Sequence, residues 1–145
     1  MQFDIELSFN PGDAHWLEAF LAPDGSALCH FPSKFLRKVS LRDRATFLRE
    51  EGSEYIGFVE KLKLFKDGGV ELLILTGSEG PELIERVMVR LYGSGCINLS
   101  AFLYSDECEY VEGEDGLEHR CGLHYFFAEG CLQCQDYPEI LDQYY

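Results

Sequence analysis

The chain is short of positive charge. Its 145 residues hold 12 Lys and Arg against 26 Asp and Glu, a formal net charge of -14. Residues 1–30 have no Lys or Arg at all, and residues 67–145 have three bases against sixteen acids. Such a field repels nucleic acid and anionic membranes and attracts basic partners. Apolar runs stop at four residues, as in Leu72–Leu75, which excludes a membrane-spanning helix. The start, Met1-Gln2-Phe3-Asp4-Ile5-Glu6, alternates and is acidic, so it reads as a strand and not as an export signal. No Gly-x-Ser-x-Gly elbow, P-loop or dinucleotide glycine fingerprint occurs. Histidines number four, and His30 beside Cys29 makes a poor dyad, because neighbours on a strand point to opposite faces.

What is present is a foldable core. Hydrophobic residues make up 46% and aromatics 14%, which separates the chain from the disordered class. The length suits one domain, residues 1–145, with a core that needs no staples. Six cysteines without an export signal are expected as reduced thiols in a cytoplasmic protein.

Phe3, Ile5, Leu7 and Phe9 alternate with polar residues and predict a half-buried strand closed by Pro11-Gly12. Asp13 is positioned to cap a short helix with Trp16, Leu17, Phe20 and Leu21 on one face, and Ala27–Phe31 reads as a short strand. Ser40 and Asp43 form a loose capping box for a helix reaching Gly52, with Leu41, Ala45 and Leu48 inward. Ile56–Phe65 and Val70–Thr76 flank Asp67-Gly68-Gly69, a hairpin signal. Pro81 opens the strongest helix, whose stripe is Leu83, Ile84, Val87, Met88 and Leu91. Cys96–Tyr104 reads as a strand with Ile97, Leu99, Ala101 and Leu103 on one face. Glu107–Glu112 and Leu117–Phe127 suggest an acidic hairpin, and Cys131–Tyr145 a terminal helical turn or two.

The expected class is α+β: an antiparallel or mixed sheet with helices packed on one face. The β-β-α-β order of residues 56–104 is compatible with part of a ferredoxin-like sandwich.

Three groups of residues invite a function. Glu107, Glu109, Glu112, Glu114, Asp115 and Glu118 concentrate carboxylates on the hairpin, a surface suited to a basic protein partner. The concrete reading is a non-enzymatic inhibitor or immunity-type protein that blocks the cationic site of a nuclease or toxin. Cys121, His124, Cys131 and Cys134 are thiolate and imidazole donors in close pairs, the ligand types of tetrahedral zinc, and offer a zinc protein or small enzyme as the alternative. Geometry argues against them, since Cys121 and His124 on a regular strand point apart. The basic stretch Lys34, Arg37, Lys38, Arg42, Arg44 and Arg49 complements the acidic end, within the chain or on a second copy, which makes a self-associating homo-oligomer the third reading.

Overall fold

The computed structural model describes residues 2–47, 55–107, 110–112 and 116–137. Its strands are β1 (Phe3–Asn10), β2 (Cys29–His30), β3 (Gly57–Leu64), β4 (Val70–Thr76), β5 (Ile97–Ser105), β6 (Tyr110–Glu112), β7 (Glu118–Arg120), β8 (Gly122–Ala128) and β9 (Cys131–Tyr137). A 3₁₀ helix spans Trp16–Phe20, and α1 (Ser33–Leu36), α2 (Leu41–Phe47) and α3 (Gly80–Gly93) are α-helical.

Seven strands form one mixed sheet in the order β2-β3-β4-β1-β5-β8-β9, while β6 and β7 pair with each other. Only β2 and β3 run parallel within it. The fold is therefore of α+β type. The chain leaves β4, passes through α3 and returns as β5 on the far side of β1, so the first strand sits between two later ones. No helix among the described residues is long and apolar enough to cross a membrane.

Alternation along β1 buries Ile5, Leu7 and Phe9, and β4 buries Val70, Leu72, Ile74 and Thr76 beside them. The stripe of α3 covers this face: Leu83, Ile84, Val87 and Met88 meet Ile5, Leu7, Ile74 and Ala101. Each such side chain contributes about 1.5–3 kcal/mol by leaving water. A second part of the core is aromatic. Phe31 lies 5.3 Å from Phe20 and 5.0 Å from Phe47, and Trp16 packs edge-on against Phe9 at 5.5 Å. Thr76 is buried but satisfied, since its hydroxyl donates to the Ile56 carbonyl.

Four expectations are corrected. The first helix is 3₁₀, with His15 and not Asp13 at its N-cap and no side-chain cap. Among the described side chains of α2, Asp43 and Phe47 are buried, one turn apart, and Leu41 is 75% exposed. The reason is polar: Ser40 and His15 hold the Asp43 carboxylate, which rotates the helix away from the face on which Leu41 lies. The Ser40 half of the capping box forms, with Asp43 N–H donating to Ser40 Oγ at 3.2 Å. Leu48 and Arg49 lie outside the described residues, as do the side chains of Arg42 and Ala45. Ile97 is exposed, because Asn98 takes a φ of 55° and shifts the register of β5 against β1.

The last correction is the largest. Cys131–Tyr137 is a strand and not a helical turn. Glu129 and Gly130 take φ of 54° and 78°, the paired positive values of a two-residue hairpin turn whose twist matches the strands it joins. This turn folds β9 back on β8 from Ala128↔Cys131 to Gly122↔Tyr137. Residues 138–145 lie outside the described residues.

Candidate interaction surface

The face of the sheet opposite α3 carries the chemistry. Asp4, Glu6 and Ser8 of β1 alternate out of the core, and the register sets them beside Tyr104, Phe102 and Ser100 of β5. Across β5, Phe102 pairs with His124 and Ser100 with Phe126 of β8. The His124 ring stacks on Phe102 at 4.3 Å and 7°, and its Nε2 is 2.8 Å from Ser100 Oγ. Tyr137 of β9 meets Phe102 edge-on at 4.8 Å. Beside Phe102 the face dips into a hollow of about 360 Å³ walled by Glu6, Ser8, Lys61, Lys63 and Glu71.

One residue ties the acidic hairpin to this face. Arg120 ends β7, and its Nη1 donates to Asp4 Oδ2 at 2.8 Å while Nη2 donates to the Ser105 carbonyl at 3.3 Å. The guanidinium lies 4.9 Å from the Tyr104 ring, a cation–π contact. Tyr104 is buried beneath it. Burial first, then the negative field of Glu6 and the neighbouring Tyr137, push the Tyr104 phenol up to about 12, with Arg120 pulling the other way.

The step from β7 to β8 depends on Gly122. A Cβ there would press into the Leu103 carbonyl and lie 2.7 Å from the Tyr104 ring. The sequence pattern predicts one strand over Leu117–Phe127. It breaks after Arg120, and β8 crosses to the main sheet while β7 stays with β6.

The hairpin register is Tyr110↔Arg120, Val111↔His119 and Glu112↔Glu118. Glu112 and Glu118 are thus directly opposed, and both are exposed, as is Glu107. Among the described residues no cation pairs with these three carboxylates. Glu109, Glu114 and Asp115 lie outside the described residues. The basic stretch follows edge strand β2, whereas the hairpin joins β5 to β8, and its described members Lys34, Arg37, Lys38 and Arg44 form no ion pair with the hairpin.

The four proposed zinc ligands are not brought together. His124 belongs to the face that holds Phe102, whereas Cys134, opposite Tyr125, belongs to the face that holds Leu123 and Phe127. Cys131 sits at the β8–β9 turn opposite Ala128, and Cys121 lies just before β8. Among the described residues no three His, Cys, Asp or Glu are grouped to hold an ion. Cys29, Cys96, Cys131 and Cys134 are free thiols. Burial pushes Cys29 up to about 12 and raises Cys96 as well, which leaves both unreactive. Tyr125 is likewise raised, by burial and then by Cys134.

Phe102, Tyr104, Arg120 and Tyr137 escaped sequence reasoning as a group. A signal existed: the same alternation that buries Leu99, Ala101 and Leu103 puts Phe102 and Tyr104 at the even positions, where a solvated face should be polar. Nothing in the sequence announced that Arg120 would reach Asp4, 116 positions away. No protein-family model, no curated protein and no solved structure matches the chain.

Proposed function

We propose that this chain is a non-enzymatic acidic interaction protein of the cytoplasm, which binds a basic protein through the β6–β7 hairpin and the aromatic face beside it. The form that suits this chemistry is an inhibitor or immunity-type protein occluding the cationic site of a nuclease or toxin. Such a site carries Lys and Arg to hold phosphates, and exposed carboxylates are its complement.

The observation that carries the reading is the Glu112–Glu118 pair. Like charges directly across a ladder destabilise a hairpin, and here no described cation relieves them. A partner's Lys or Arg between them would turn that repulsion into binding energy. The neighbouring aromatics add area of the kind that anchors interfaces, and their rings accept guanidinium groups face-on. Steering by this field raises the association rate and weakens with salt.

The scaffold reading is a ferredoxin-like unit extended at both edges, with its helices on one face. It rests on the order β3-β4-β1-β5 with α3 joining β4 to β5 around β1, a split β-α-β arrangement. A second functional reading, head-to-tail self-association, is favoured by the separation of the two segments, the basic one following edge strand β2 and the acidic hairpin joining β5 to β8.

The test is capture from native lysate at low salt with salt elution, run in parallel with the triple reversal Glu107→Lys, Glu112→Lys, Glu118→Lys. One basic protein, held in stoichiometric amount by the native chain and lost by the triple variant at unchanged melting temperature, is the expected result. Equal capture by both chains would reduce the hairpin to a solubilising loop.

A further inference from the structure

A second cleft lies away from this surface, between the β1–3₁₀ turn, the start of α2 and the β3–β4 hairpin. Its volume is about 410 Å³, within the range of small-ligand sites. Its apolar lining includes Trp16, Val39, Leu64, Phe65 and Val70. His15 lines it and remains 32% exposed.

Behind His15 stands Asp43, whose side chain is only 10% exposed. Asp43 Oδ1 lies 3.0 Å from His15 Nδ1, and Oδ2 accepts from Ser40 Oγ at 2.9 Å. An ionised carboxylate has no proton to give, so Nδ1 carries the proton of the neutral ring. Nε2 is then an acceptor. No protein group among the described residues hydrogen-bonds to it. A buried carboxylate that orients an imidazole and leaves its other nitrogen open to a cleft is an arrangement suited to recognising a proton donor.

We propose that His15 and Asp43 form a binding site for a small, non-anionic, ring-bodied ligand bearing a hydroxyl group, which donates its hydrogen to His15 Nε2. The lining decides against an anion, since Asp13 from the β1–3₁₀ turn and Asp43 from α2 both line the cleft, while the Lys38 ammonium lies over the Phe35 ring at 5.7 Å. The hairpin wall, Leu64, Phe65, Gly68, Gly69 and Val70, brings no titratable group. A planar ring suits walls made by Phe65, Trp16 and Val70. This site is independent of the hairpin reading and stands or falls separately.

The experiment is an amide-resonance titration of the full chain with phenol and, separately, with anisole, which has the same ring but no O–H. Above the titration of His15, followed by its own ring resonances, phenol should shift the amides of His15, Phe65, Gly69 and Val70 with a midpoint at least fivefold below that of anisole. Where those resonances show the doubly protonated ring, Nε2 donates, and the phenol advantage should fall to within twofold. Long-range nitrogen correlations should place the neutral proton on Nδ1. His15→Phe should abolish the phenol preference. Equal midpoints for phenol and anisole above the His15 titration, shifts centred outside the cleft, or a proton on Nε2 would each overturn the proposal. The wild-type pH comparison decides the matter even if His15→Phe does not fold.

Discussion

On β1, Ile5, Leu7 and Phe9 are buried while Glu6 between them is exposed and Asp4 and Ser8 are half-buried. On β5, Ala101 and Leu103 meet the core while Phe102 faces away and Tyr104 lies beneath Arg120. The same strands thus build two unlike surfaces. The covered face is close-packed and apolar, and α3 seals it. The opposite face combines rings, carboxylates and one guanidinium held in place by Asp4. The first face holds the fold together, and the second presents rings and charges that α3 does not cover.

Truncating one large side chain to alanine on each face should have the largest effect. Ile74→Ala on the covered face should cost about 2–5 kcal/mol, the usual loss for a buried aliphatic truncation. Phe102→Ala on the other face should cost on the order of 1 kcal/mol, since its surroundings are partly solvated. Urea denaturation of both variants reads the gap, and equal losses would mean that both faces are core.

Gly122→Ala should cost about 1–3 kcal/mol by overpacking against the Leu103 carbonyl and the Tyr104 ring. The loss should fall on β8 first, seen as faster hydrogen exchange there than in β1 or β4. A neutral result would show that β8 can shift away from β5 at little cost.

Alkali separates the faces by a different route. Tyr104 has its phenol raised from 10 to about 12, so the folded state holds that proton more tightly than the unfolded chain does. The stabilisation is whole below pH 10 and is lost as pH rises from 10 through about 12. Ultraviolet titration should show two late phenols, Tyr104 and Tyr125, of which Tyr104→Phe removes one, and survival of both in that variant would overturn the assignment.

Smaller effects concern the hairpin's anchor and its charge. The Asp4–Arg120 pair is partly exposed, so a double-mutant cycle with Asp4→Asn and Arg120→Gln should give a coupling of about 1 kcal/mol or less. No coupling would detach the hairpin from the aromatic face. Glu112→Lys alone places a cation opposite Glu118 and should raise stability by about 0.2–1 kcal/mol. A fall in thermal stability would show that the opposed carboxylates are not a local strain.

Much of this could be read from residues in order. The β1 alternation, the Asp67-Gly68 hairpin, the α3 stripe and the Ser40–Asp43 cap are local patterns, and each formed where the pattern lay. What failed was global. Leu41 lost its inward place to Asp43 because a histidine 28 residues earlier holds that carboxylate. Cys131–Tyr137 became a strand because β8 offered a free edge and Glu129-Gly130 a tight turn.

The candidate site divides along the same line. Composition alone determined the sign of the field and the clustering of acids at residues 106–118, because charge counts need no coordinates. The periods of 2 and 3.6 likewise determined which side chains leave water in β1, β4 and α3. Only tertiary structure decided that Glu112 faces Glu118, that Arg120 crosses to Asp4, and that His124 and Cys134 lie on opposite faces. The physical reason is that strand register and order are set by which edges meet in three dimensions. That is a property of the whole sheet, and no single segment encodes it.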